Sequence, residues 1–278
     1  MSLLEKPLAV AASKHRLLAR GWNTWDTRSV LHHVLLPEGL CVALGLAAPD
    51  KLVWLNDAFF GRRAAGRTPG TQLTSTDKQL PLGNSIDVLP GLRSYDGGYT
   101  QMEFNLRGAR FRIETAADGN RWFALVTPLQ TDPWLRVLTI EASFLWNRPG
   151  CARRQDDHSL VASVDGREIP IHADGTPVTD PNFPVRSPYL SLRLDRPVAI
   201  SAGARANRAE VEHAIAAARA DVLARHATRG ELGEAYGAMQ ACLAWNVIYE
   251  PKFDRVLCPV ARDWNCIRGG YAVFCWDS

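Results

Sequence analysis

The first two-thirds of the chain reads as β, in short runs where apolar and polar side chains alternate with a period of two. Thr100, Met102, Phe104 and Leu106 alternate with Gln101, Glu103 and Asn105, the pattern of a strand with one wet face. Phe111 and Ile113 alternate with Arg110, Arg112 and Glu114, and Arg107-Gly108 supplies a hairpin turn between the two runs. A further strand, Arg121 to Thr127, follows the turn signal Asp118-Gly119-Asn120. Trp134 to Trp146 carries Leu138, Ile140, Ala142 and Phe144 on one face. Shorter runs are Val30 to Leu36, Leu40 to Leu46, Leu160 to Val164, Glu168 to His172 and Tyr189 to Leu194, punctuated by Asp165-Gly166 and Asp174-Gly175. Many short strands between turn signals predict an antiparallel β-sandwich.

The period changes near residue 204. Asn207 with Glu210 three residues later resembles a capping box, and Val211, Ala214, Ile215, Ala218 and Val222 follow at helical spacing. This helix is expected to stop near Gly230. A second helical stripe, Leu232, Tyr236, Met239, Leu243 and Val247, is expected to end at Pro251. The core-type residues Val273, Phe274 and Trp276 lie within six residues of Ser278, and two helices cannot bury such a stripe alone. The expectation is that the helical part opens a larger domain. The division predicted is a tail at 1–20, a sandwich at 21–204, a linker helix at 205–230 and the start of a helical domain at 231–278.

Composition narrows the function classes. With 32 basic against 29 acidic residues, net charge +3 and no long basic run, the chain makes no electrostatic case for nucleic acid. The apolar run Leu8 to Ala12 is short and follows Glu5, unlike a signal-peptide core, and no stretch approaches the ~20 apolar residues of a membrane span. A cytoplasmic protein without membrane contact is the expectation. The six cysteines form no CxxC pair and no zinc-type cluster with histidine, so free buried thiols are expected. Neighbouring His32 and His33 fall on opposite faces of a strand and cannot share a metal.

The segment densest in candidate chemistry runs from Trp245 to Asp277, where aromatics, amides, arginine and carboxylates interleave. Sugar sites need that mixture, because flat aromatic faces cover the C–H face of a pyranose while fixed polar groups bind its hydroxyls. Arg262, Trp264, Asn265, Tyr271 and Trp276 are the candidates for a sugar-facing wall. A carboxylate beside an apolar wall, as Asp277 is beside Trp276, has its pKa raised and keeps a proton for a leaving oxygen. On composition alone the tryptophans are equally core residues, Arg262 a structural ion-pair partner and Asp277 a helix N-cap. Trp245, on a predicted helix, reads as core.

The order WN-x-IYEP, PV-x-R-x-WN and GGY-x-x-F-x-WD between Trp245 and Asp277 resembles glycoside hydrolase family 63 and its bacterial relatives, the α-glucosidase-like and mannosylglycerate-hydrolase-like enzymes. Two further blocks resemble the sandwich that precedes their catalytic domain: Gly21-Trp22-Asn23-Thr24-Trp25-Asp26, with Val34 to Gly39 after it, and Gly91-Leu92-Arg93-Ser94-Tyr95-Asp96-Gly97-Gly98-Tyr99. The resemblance implies a multidomain β + α protein whose sandwich leads into the first helices of an incomplete (α/α)6 toroid. It also implies inverting hydrolysis, with Asp277 on the general acid and no cofactor or metal. Inversion needs a second carboxylate roughly 6.5–9.5 Å from the first, across the sugar. No position of this sequence matches that base, and Glu250, Asp254 and Asp263 occupy no corresponding motif.

Three readings follow. The first is the N-terminal part of an inverting exo-glycosidase acting on a small α-linked sugar or glycoside, inactive by itself for want of the base. The second is a non-catalytic fragment that self-associates through an open helical face. The third is a carbohydrate-binding module. The two tryptophans of Gly21–Asp26 bear on the third, and that block reads better as a packed sandwich edge or an inter-domain interface than as a sugar platform. Arg93 to Gly98 reads as a structured turn in which Gly97 and Gly98 permit positive φ.

Overall fold

The computed structural model describes residues 17–24, 32–48, 51–54, 87–106, 109–130, 137–178, 188–225 and 230–259. Two antiparallel sheets make up most of it. The first runs in the order β1 (Gly21–Asn23), β2 (His32–Leu36), β3 (Leu40–Ala48), β9 (Val137–Phe144), β14 (Tyr189–Arg193) and β13 (Thr176–Pro177), with β4 (Lys51–Trp54) also paired to β3. The second runs β10 (Cys151–Arg154), β11 (Ser159–Val164), β12 (Arg167–Ala173), β15 (Val198–Ala202), β8 (Arg121–Gln130), β7 (Ala109–Asp118), β6 (Tyr99–Leu106) and β5 (Asp87–Arg93).

The period-two pattern explains why the sheets stack. Met102 and Phe104 of β6, Phe111 and Ile113 of β7, and Trp122, Ala124 and Val126 of β8 point inward. They meet Leu40, Val42 and Leu44 of β3 and Leu138, Ile140 and Ala142 of β9 in one continuous core. The opposite face of β6 and β7 carries polar pairs beside the buried Tyr99 and Ala116. There Tyr99 donates to Glu114 Oε1 at 2.7 Å, and Arg112 donates to Glu103 Oε1 at 2.7 and 3.0 Å. Register follows from the turns. Asp165 and Gly166, at φ 48° and 72°, close the β11–β12 hairpin between Val164 and Arg167, the backbone that a two-residue hairpin with positive φ at both positions demands.

Helix α1 (Arg208–Arg225) covers the outer face of the eight-stranded sheet. Its capping box forms as the sequence predicts: Glu210 N donates to Asn207 Oδ1 at 3.0 Å, and Asn207 N donates to Glu210 Oε2 at 2.7 Å. Val211, Ile215 and Val222 are buried against Tyr99, Ala116, Phe123 and Ala199. Each such side chain contributes about 1.5–3 kcal/mol from the area it removes from water.

Helix α2 (Gly233–Asn246) departs from expectation in length. It stops before Val247, whose ψ of 129° is extended, and the chain enters a small hairpin of β16 (Ile248–Glu250) and β17 (Arg255–Leu257). The reason is local. Val247, Ile248 and Tyr249 are β-favouring residues, and Pro251 disfavours helix in the residue before it. Val247, Tyr249 and Val256 then pack on Val34, Leu36, Cys41 and Ala43, the outer face of the seven-stranded sheet. The rest of the predicted stripe stays in solvent, with Leu232, Tyr236, Met239 and Leu243 at least half exposed.

The thiols also differ from expectation. Cys41 is buried, but Cys151, Cys242 and Cys258 are exposed thiols. Cys151 lies on edge strand β10 and Cys242 on the open face of α2, positions that no core claims. Among the described residues no helix is long and apolar enough to cross a membrane.

Candidate functional site

Three segments far apart in the chain meet at one end of the sandwich. The first is β1 with Thr24. Trp22 is buried, donates Nε1–H to the Asn120 carbonyl at 2.9 Å, and stacks on Trp122 with ring centroids 5.8 Å apart. A tryptophan so enclosed is no platform for a sugar, and the described part of Gly21–Asp26 is the packed edge that the sequence favours. Trp25 and Asp26 lie outside the described residues.

The second segment is the turn from Arg93 to Tyr99. Ser94 N donates to the Tyr99 carbonyl at 3.0 Å, and Tyr99 N returns a bond to Ser94 Oγ at 2.9 Å. Gly98 N donates to Asp96 Oδ1 at 2.9 Å, and Arg225 at the end of α1 donates to Asp96 Oδ2 at 2.9 Å. Partial burial by itself raises the Asp96 pKa. The bonds from Ser94, Gly98 and Arg225 outweigh it and leave the carboxyl below its ordinary value. Gly97 has φ 75°, and Gly98 does not share it. A Cβ on Gly97 would lie 2.5 Å from Asn23 Cγ, so the turn touches β1 through a residue with no side chain.

The third segment is the last turn of α2, and Arg93 joins all three. Its side chain has no exposed surface. Nε donates to the Ala244 carbonyl at 3.0 Å. Nη2 donates to Asn23 Oδ1 at 2.6 Å, while Nη1 donates to Thr24 Oγ1 and, at 3.4 Å, to Thr100 Oγ1. The guanidinium also lies over the Trp245 ring, 4.9 Å from its centroid, and Trp245 Nε1 donates to the Gly91 carbonyl at 2.9 Å. Burying a guanidinium costs several kcal/mol unless its N–H groups find acceptors. The planar fork suits this site, because one cation reaches acceptors in both sheets and in the helix. Ala244 O is also a C-terminal helix carbonyl, where a cation is favoured.

The hairpin β16–β17 brings the chain back past the same turn. Tyr249 donates to Asp254 Oδ1 at 2.6 Å and packs on Trp146 at 5.3 Å. Burial, and then the Asp254 carboxylate, push the Tyr249 phenol up to about 12. Glu250 accepts the Lys252 and Phe253 amides at 2.9 Å each, so the two described carboxylates of this region serve the turn. Cys258 Sγ lies 3.6 Å from the Leu243 carbonyl. The Tyr95 phenol is raised first by burial and then by the charge of Cys258, which puts the exit from β17 beside the 94–98 turn.

This junction holds chain segments together. Its polar groups bond one another, and among the described residues no cluster of His, Cys, Asp or Glu has the arrangement to hold a metal. Asp277, Arg262, Trp264, Asn265, Tyr271 and Trp276 all lie outside the described residues, as does Asp263. Trp245 is where the sequence puts it, in the core. Sequence reasoning missed the reach of Arg93. It falls in a turn signal, and only its place between two blocks with buried polar partners marks it.

No family model matches the chain, and no curated protein matches it. Among solved structures, a bacterial glucoamylase complexed with acarbose aligns with a TM-score of 0.40 and 10% identity, over 81% of this chain and 40% of that one. The chain thus spans about 40% of the length of that glucoamylase, and a likeness this distant carries no functional argument. What fold and junction define is a class: a two-sheet antiparallel sandwich with one helix on its outer face and a second fixed to it through a buried arginine.

Proposed function

We propose that this chain is the N-terminal part of an inverting exo-glycosidase acting on a small α-linked sugar or glycoside, in the manner of glycoside hydrolase family 63 and its bacterial relatives. On this reading residues 231–278 begin an (α/α)6 toroid. Asp277 protonates the leaving oxygen, and Arg262, Trp264, Asn265, Tyr271 and Trp276 form the sugar-facing wall. The carboxylate that activates water across the ring is supplied by no matched position, so the chain alone turns over little or nothing. No cofactor, nucleic acid or membrane takes part, and the protein works in the cytoplasm.

One observation carries the reading. One described residue from each of the three blocks that resemble this family meets at this junction: Arg93 donates to Asn23 Oδ1, 70 residues away, and lies over the Trp245 ring. The test is a panel of α-glucosides, α-mannosides and mannosylglycerate offered to the natural polypeptide that carries this chain. Release of one terminal sugar supports the reading, and a folded protein inert across the panel overturns it.

The open face of α2 favours a second reading, self-association of the chain. Leu232, Tyr236, Met239 and Leu243 make an exposed apolar stripe that water alone covers poorly. Sedimentation of the chain and of an M239Q/L243Q variant tests it. A concentration-dependent dimer abolished by the substitutions supports association, and a monomer in both rules it out.

A further inference from the structure

Helix α2 has an unusual attachment. Its buried residues are Ala244 and Trp245, both in the last turn, while Leu232, Tyr236, Met239 and Leu243 face solvent. Most helices of globular proteins dock by an apolar stripe running their length. α2 has such a stripe, but the stripe does not face the sandwich. Docking therefore depends on what happens at the C-terminal end. There Arg93 Nε bonds Ala244 O, Trp245 Nε1 bonds Gly91 O, and the Trp245 ring lies under the guanidinium.

The two sheets need no such fastening. Their shared core runs from β3 and β9 to β6, β7 and β8 through side chains with almost no exposed surface. Helix α1 also has its own apolar row, Val211, Ile215 and Val222, against the outer face of the sandwich. The elements thus differ in kind. Sheets and α1 are held by apolar rows along their length, whereas α2 is held only at its last turn, by the Trp245 ring buried in the core and by the directional bonds that Arg93 and the indole make.

We infer that Arg93 is a latch: α2 opens from an intact sandwich as a local unit, and Arg93 sets how often it does so. Elements with little buried apolar surface open below the free energy of global unfolding, and their amides then exchange with solvent independently of the core. Lysine at position 93 keeps the charge but loses the fork that reaches Asn23, Thr24 and Ala244 together. The inference stands apart from the glycosidase reading, because it concerns only how this chain is fastened.

Hydrogen–deuterium exchange followed by mass spectrometry tests it on the whole chain. In the unsubstituted protein, amides of residues 234–246 are expected to exchange faster than those of β7 and β8. R93K is expected to speed exchange in α2 by about ten- to a hundredfold, the effect of losing one or two bonds to a charged group, and to leave β7 and β8 unchanged. Should R93K fail to fold, W245F serves instead. It keeps a ring under the guanidinium and removes the bond to Gly91 O, for an expected rise of about two- to tenfold confined to α2. An equal rise in α2 and in β7–β8 would show that Arg93 supports the whole fold, and no rise in α2 would show that it holds nothing. Either result overturns the inference.

Discussion

Gly97→Ala tests whether the 94–98 turn lies against β1. Two costs apply. Gly97 has φ 75°, and a residue with a Cβ in that left-handed region loses about 1–2 kcal/mol. The added Cβ would also stand 2.5 Å from Asn23 Cγ, 2.6 Å from its Nδ2 and 2.7 Å from the Trp22 carbonyl oxygen. That oxygen belongs to a buried strand, and Asn23 is already committed to Arg93, so neither yields freely. Overpacking of this sort costs about 1–3 kcal/mol, which brings the total to about 2–5 kcal/mol. Gly119→Ala is the control. Its φ of 57° carries the same conformational cost, but a Cβ there meets nothing within 4 Å. Both substitutions restrict the unfolded chain equally. The difference between them in chemical-denaturation free energy therefore isolates the close approach, at about 1–3 kcal/mol. If the two variants are destabilised equally, within about 0.5 kcal/mol, the turn does not pack on β1 and the junction around Arg93 is wrongly drawn.

Asn207→Ala removes the side-chain acceptor of the α1 capping box and is expected to cost about 1 kcal/mol in thermal or chemical unfolding, while Asn207→Ser costs little. Equal stability of the Ala variant would mean that the box contributes nothing. Tyr249 is expected to ionise near 12, above the ordinary value of about 10. Because the folded state favours the neutral phenol, its contribution to stability is complete below pH ~10 and is lost as pH rises toward 12. Difference absorbance between the natural chain and Y249F reads the titration directly, and a Tyr249 that ionises with the exposed tyrosines contradicts the assignment.

Legibility in the sequence tracks how local each determinant is. The β11–β12 hairpin is written in Asp165-Gly166, because only a short list of residues accepts positive φ at both turn positions. Helix α1 is written in Asn207, Glu210 and its apolar row, for which one outer sheet face suffices. Strand β15 is not: Val198 to Ala202 is buried on both sides, by the core and by α1, so no alternation marks it. The hairpin β16–β17 is hidden within a helical pattern, since Val247 continues the spacing of Leu243 while packing on β2 and β3, near the other end of the chain. Of the candidate site, the sequence shows the three blocks but not the contacts among them, because Arg93 reaches Asn23 and the last turn of α2 across 70 and 151 residues.

The anomeric form of the first sugar released by the natural polypeptide, followed by proton NMR with D277N alongside, tests inversion at the glycosidic carbon directly. Inversion predicts a β-anomer from an α-linked substrate, and loss of the proton donor predicts a fall in turnover of at least about a hundredfold. An α-anomer as first product, or a D277N variant with undiminished turnover, would contradict the account.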